Sequence, residues 1–227
     1  MMLAGLPYAS CCIWLALFKM QSPKTLKDKT ILICECSDGI GPLAIQYAKY
    51  MGLKVIASIG NSDNLMIDDY YGADFCVDHS SRNFVFEVLQ KCRRGVDFVL
   101  DCGASNLETH INCCNYGYKV AIVDLGGEGG EKKSISINFF TLGIMQGEIK
   151  VINLRSKDFQ YKASVIAGLK SDLWPAVLQK KVVPKTDFCF PVSEVRQALD
   201  RIKKNDCVGK ITVRMDFEKS GGHHKMQ

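Results

Sequence analysis

The residues best placed to do chemistry are Gly39 and Gly41, within the segment Glu35-Cys36-Ser37-Asp38-Gly39-Ile40-Gly41. This segment joins a continuous apolar run at 30–34 to a helical pattern over 42–51. In the latter, Ala44, Tyr47, Ala48 and Met51 recur at i, i+3, i+4 and i+7. A parallel strand that turns through glycine into a helix aims backbone N–H groups outward from the positive end of the helix dipole. Such a turn cradles a pyrophosphate. Gly39 would let the backbone approach the phosphates, and Gly41 would let the helix close on the strand. Two glycines of the three-glycine fingerprint are present. The turn alone therefore leaves open a dinucleotide or another nucleotide-like ligand, such as a methyl donor.

A sheet must hold that turn. Strand-like runs follow at 54–58, 75–77, 96–100 and 119–123, separated by helices predicted over 62–72, 83–91 and 107–114. Pro42 sits in a first turn, Gly52 stops that helix, and Ser62 is placed to cap the next. Alternation of this kind forces right-handed crossovers and a parallel sheet. The predicted fold class is α/β, a doubly wound parallel sheet of Rossmann type over 29–155. Residues 1–28 precede it. A strand at 149–153 extends the sheet. Over 156–217 a long helical stretch, 158–178, bent or split by Pro175, completes the domain. It leads into a small α+β remnant of a second domain: strand 186–190, helix 192–204, strand 209–213. The polar tail 218–227, His223 and His224 included, reads as disordered rather than as a metal site.

Composition narrows the function classes. The chain has 227 residues, 47% hydrophobic and 23% charged, which suits a globular domain with a core. Its net charge of +5 is spread without a basic run, arguing against nucleic-acid binding. No stretch reaches the roughly 20 apolar residues of a membrane span. The apolar segment 3–18 lacks a positive lead and is broken by Pro7, so it reads as a core helix rather than a signal peptide. Tyr8 and Trp14 on it read as packing groups. Eleven cysteines include the adjacent pairs Cys11-Cys12 and Cys113-Cys114 but no two CxxC pairs. Cys34, Cys76 and Cys102 lie in apolar runs, as buried, reduced thiols of a cytoplasmic protein would. Asp97 and Asp101 flank one strand and do not form a carboxylate pair.

Several motifs, in order, resemble the medium-chain dehydrogenase/reductase superfamily, and within it the zeta-crystallin-like quinone oxidoreductases. Residues 31–49, ending Ala44-Ile45-Gln46-Tyr47-Ala48-Lys49, are similar to that family's strand, glycine turn and "AIQLAK" helix. Gly72-Ala73-Asp74, Gly95-Val96-Asp97 and Leu100-Asp101 match further landmarks, and Gly209-Lys210-Ile211 resembles its last strand. Leu154-Arg155-Ser156-Lys157 followed by Tyr161-Lys162-Ala163 resembles the tumour-suppressor-inducible branch.

The resemblance implies zinc-independent hydride transfer from NADP(H) to a small quinone-like substrate, in a homodimer, with no nucleic-acid or membrane partner. It places Ser37, Asp38, Gly39, Ile40 and Gly41 along the pyrophosphate. Gly60, Asn61, Ser62 and His79 would face the adenosine end, and Ser105, Val123, Asp124 and Leu125 would line the ends of later strands. No acid ends the second predicted strand, which favours NADP(H) over NAD(H). Asp63 is a rival ribose ligand, and Asn64 stands where the family often has lysine. No catalytic residue is assigned. Glu35 and Asp38 depart from the small residues usual in the loop. A carboxylate about 5 Å from a phosphate costs roughly 3 kcal/mol at an effective dielectric near 20, or about a hundredfold in affinity. Relatives also carry an N-terminal GroES-like domain with a substrate-pocket tyrosine and asparagine, most of which this chain is expected to lack. The resemblance implies that residues 1–28 are the linker after that domain, with a linker helix at 6–19. The expectation is an NADPH-dependent oxidoreductase, or alternatively a truncated cofactor-binding pseudoenzyme or an interaction protein without turnover.

Overall fold

Strand β1 (Thr30–Cys34) is buried at every position, as a strand covered on both faces must be. It lies between β2 (Lys54–Ile59) and β4 (Val96–Asp101), parallel to both. Strand β3 (Phe75–Asp78) lies outside β2, and β5 (Cys114–Val123) and β6 (Glu148–Ile152) continue on the other side. The resulting six-stranded parallel sheet has the order β3-β2-β1-β4-β5-β6. The computed structural model describes residues 2–19, 26–34, 39–59, 71–103, 106–123, 136–204 and 209–215.

Side-chain alternation along the strands builds two cores. Ile31, Ile33, Val55, Ala57 and Leu100 pack with helices α1 (Pro7–Phe18) and α2 (Gly41–Tyr50) on one face. Leu32, Ile56, Val99 and Val120 pack on the other with α3 (Phe84–Lys91) and the short α4 (Leu107–Ile111). Helices on both faces of a parallel sheet make it doubly wound. Helix α1 is buried at every residue from 9 to 17, because α6 (Phe159–Asp172) covers the side that the sheet does not. Trp14 lies so close to α6 that a Cβ on Gly168 would come within 2.7 Å of its Cε2. Its indole N–H donates to Asp172 at 2.8 Å.

Most predicted elements appear within a residue or two, with a few exceptions. The helix predicted over 107–114 stops at Ile111, and β5 starts at Cys114 instead of 119. Cys114 pairs with Val96, and a register shift then absorbs the extra residues before Phe98 meets Lys119. Pro175 splits rather than bends the long helix: α6 ends at Asp172 and α7 (Trp174–Leu178) restarts with the proline in its first turn. A helix that was not predicted, α5 (Phe139–Ile144), is capped by Asn138, whose side chain accepts from Phe140 and Thr141 N–H. The predicted helix 192–204 opens as a 3-10 turn before α8 (Val195–Lys203). Beyond the main sheet, β7 (Thr186–Pro191) and β8 (Lys210–Arg214) form a separate two-stranded parallel pair. The helix predicted over 62–72 lies, but for its last two residues, outside the described residues, and the tail 218–227 lies wholly outside them.

Candidate functional site

Chain connections leave β1 toward β2 on one side, while its other neighbour, β4, begins the second half of the sheet. In doubly wound sheets a ligand crevice opens at such a switch, beyond the carboxyl ends of the strands. Because all six strands are parallel, Cys34, Ile59, Asp78, Asp101, Val123 and Ile152 end on one edge of the sheet.

The predicted turn reaches that edge. Gly39 and Ile40 precede α2, which begins at Gly41, carries Pro42 in its first turn and has no side-chain cap. Gly39 itself lies under a side chain from the far end of the chain. A Cβ built on Gly39 would stand 2.6 Å from Lys210 Nζ and closer still to Cδ and Cε. Lys210 is anchored in β8 by its own N–H, which donates to Lys185 O at 2.9 Å. The lower part of its stem packs on Gly5, where a Cβ would lie 3.2 Å from Lys210 Cγ. Thus one ammonium group lies at the turn where the helix dipole is also positive. That pair of features suits an anion.

Of the other predicted positions, Val123 closes β5 and is fully buried. His79 follows β3, and its N–H donates to Ile59 O at 2.9 Å, fixing the turn to the tip of β2. The hydroxyl and N–H of Ser80 both donate to Asp78, and together they hold its carboxyl below the usual range. A cavity of about 630 Å³, lined by polar and apolar groups alike, adjoins this turn and includes His79, Arg82, Asn83, Phe86 and Leu89. Gly39, Ile40, Gly41, His79 and Val123 therefore share the carboxyl edge of the sheet. Ser37, Asp38, Gly60, Asn61, Ser62, Ser105, Asp124 and Leu125 lie outside the described residues, as do Glu35, Asp63 and Asn64.

Two features were not singled out from sequence. Lys210 belongs to a quoted motif, Gly209-Lys210-Ile211, yet nothing local announces that it spans to Gly39. Asp101, at the end of β4, is fully buried and accepts from Gly103 N–H at 3.1 Å and from His110 Nδ1 at 2.9 Å. Its histidine partner was not expected. At the opposite end of β4, Asp97 accepts from Thr30 N–H, Lys29 and Asn115. The two aspartates are thus well apart and form no acid–base pair. Among the described residues, no group of three or more His, Cys, Asp or Glu is gathered to hold a metal ion.

This fold and edge define a dinucleotide-binding type of α/β domain. The family model described as "Zinc-binding dehydrogenase" matches residues 39–167, more than half of the chain, and the chain belongs to that family. Within the wider medium-chain dehydrogenase/reductase superfamily it is quinone oxidoreductase-like. It is 25% identical over 212 residues to the pig (Sus scrofa) quinone oxidoreductase and 27% over 216 residues to that of the rat (Rattus norvegicus). Each match covers 92% of this chain and 60% of the relative, so the chain spans less than two thirds of their length. Among solved structures, the quinone oxidoreductase of Thermus thermophilus, studied also in complex with NADPH, superposes with a TM-score of 0.78. Its identity is 19%, with 94% of this chain and 66% of that one covered. An NAD-dependent alcohol dehydrogenase superposes at 0.76 with 22% identity, covering 93% and 58%. Both likenesses are of fold, and a nicotinamide cofactor is the ligand class they share.

Proposed function

We propose that the chain is the cofactor-binding part of an NADPH-dependent oxidoreductase that reduces a quinone or a similar electrophilic carbonyl compound. The observation that carries this reading is Lys210 over Gly39. A glycine turn, an uncapped helix start and a nearby ammonium group together fit a pyrophosphate, whose charge the lysine balances. When bound, NADPH supplies the hydride that the substrate accepts. The protein's part is to hold and orient it. Gly39, Ile40 and Gly41, with Ser37 and Asp38, take the pyrophosphate. His79, with Gly60, Asn61 and Ser62, takes the adenosine end. Val123, with Ser105, Asp124 and Leu125, forms the wall along the later strands.

NADPH is preferred to NADH in this reading because the second strand ends Ser58-Ile59-Gly60 without an acid to hold a free ribose 2′-hydroxyl. No step uses zinc. The reading also includes a homodimer in the cytoplasm. Among the described strands β6 ends the sheet, Val151 on it is exposed, and Phe139 and Phe140 of nearby sequence are exposed as well. A sheet edge that carries an exposed apolar group is a natural seat for a second copy. Buried Cys11, Cys12, Cys34 and Cys113 suit a reducing compartment. Among the described residues, no helix is long and apolar enough to cross a membrane.

Titration of the purified chain with NADPH and NADH, followed by nicotinamide fluorescence and by heat, tests the site. Micromolar NADPH binding with weaker NADH binding is expected. Absence of binding at millimolar concentration would remove the cofactor reading. Binding without quinone turnover would leave a pseudoenzyme that holds nucleotide.

A further inference from the structure

Helix α1, α6 and the segment after β6 enclose an apolar groove of about 500 Å³ that the cofactor reading does not use. None of its lining residues belongs to β1, α2 or β8. Its floor is hydrocarbon and aromatic, from Tyr8, Leu154, Ile166, Leu169 and Trp174. Its charge is all of one sign among the described residues: Arg155, Lys162 and Lys170 line it, and no acidic residue does.

The cations have a definite arrangement. Lys162, Ile166 and Lys170 stand at i, i+4 and i+8 on α6, one face of the helix, so the two lysines are separated by about 12 Å. Arg155 lies across the groove from α6, its guanidinium carbon 5.3 Å from the centre of the Tyr8 ring. Lys162 Nζ donates to the Arg155 carbonyl at 3.1 Å. The bond brings the Lys162 ammonium to the Arg155 backbone, and both side chains line the groove. Asp172, the acid at the end of α6, is engaged by the Trp14 indole. Asp158, at its start, caps the helix by accepting from Tyr161 N–H.

A greasy trough whose charged lining residues are all cations is complementary to one ligand chemistry. We infer that the groove binds a single-chain amphiphile with a carboxylate head. The head pairs with Arg155 and Lys162, and the hydrocarbon lies along Ile166 and Leu169 toward Trp174. The volume is within the usual range of small-molecule sites, roughly 300–1,000 Å³. A guanidinium and an ammonium offer a carboxylate charge-assisted hydrogen bonds that an alcohol of equal chain length lacks.

The test uses decanoate below its micelle concentration, titrated into the full chain. Binding is read by heat and by tryptophan fluorescence, since Trp174 lines the groove and Trp14 is the only other tryptophan. Saturable decanoate binding, at least tenfold tighter than that of decanol, is expected. The double substitution Arg155→Gln/Lys162→Gln should weaken decanoate at least tenfold and leave decanol unchanged. Ile166→Glu, at a site 46% exposed and so tolerant of charge, should abolish both. Three results would each overturn the inference. The first is decanol binding as tightly as decanoate, and the second is a double substitution that changes nothing. The third is an Ile166→Glu chain whose oligomer dissolves while its decanoate affinity stays intact, which would give the groove to a second copy of the chain.

Discussion

His110 Nδ1 donates to Asp101 Oδ2 at 2.9 Å, and both side chains are almost wholly buried. The pair ties α4 to the carboxyl end of β4, just where the sheet edge faces the proposed cofactor. Removing His110 takes a side-chain partner from a fully buried carboxylate, which keeps its bond from Gly103 N–H. His110→Ala is expected to cost about 3 kcal/mol, read from the urea midpoint. His110→Asn, whose amide can place an N–H near the position of Nδ1, should recover part of the loss. Equal losses in the two variants would show that packing against Phe84, at 5.8 Å between ring centroids, accounts for the effect instead of the hydrogen bond.

Lys210→Gln keeps most of the stem that packs on Gly5 and removes the charge over Gly39. Stability should change by less than about 0.5 kcal/mol. NADPH affinity should fall about thirtyfold, the equivalent of roughly 2 kcal/mol for one charge-assisted contact. Gly39→Ala should resemble it, because the new methyl meets the flexible end of Lys210 rather than backbone. The lysine would swing away at little cost to the fold. Unaltered NADPH binding in both variants would dismiss Lys210 from the site.

Strand–helix alternation made the parallel sheet legible, because central strands buried on both faces read as unbroken apolar runs. The boundary at 111–114 was not legible. Ile111, Cys113 and Cys114 satisfy either a helical or an extended period, and pairing with Val96 decides it. Helix α5 offered no period at all, since its phenylalanines point to solvent. Only its cap, Asn138, was a usable signal. The glycine turn was legible from spacing. Its lysine was not, because β8 meets Gly39 only after the whole sheet has folded between them.

Acid should weaken the fold through Asp97. Burial pushes its carboxyl up, but Thr30 N–H, the Lys29 ammonium and the Asn115 amide outweigh burial and hold it below the ordinary value. A depressed folded value means that the stabilisation is complete above the unfolded carboxylate range, near pH 4. It is lost as pH falls through the folded value. Asp74 behaves alike: burial opposes, while Lys49 and Val55 N–H prevail. Urea midpoints should therefore be flat from pH 7 to about pH 5 and drop below pH 4. Asp97→Asn should be less stable at neutral pH and fall less steeply in acid. A variant with the wild-type acid slope would assign that slope to other groups.

In the proposed dimer, the exposed edge at β6 is the seat of assembly. β6 is hydrogen-bonded to β5 alone among the described strands, and Val151 is 51% and Phe140 75% exposed. A second copy would satisfy the outer backbone groups of β6 and cover these side chains. A charge on the edge opposes both effects, because lysine keeps water at the strand and repels its symmetry mate. Val151→Lys should shift sedimentation from dimer to monomer while leaving the urea midpoint of the monomer within about 0.5 kcal/mol, since the site is exposed. Phe140→Ser should weaken the dimer by a smaller step. A wild-type chain that sediments as a monomer at every concentration would refute the dimer, and the edge would then need another cover.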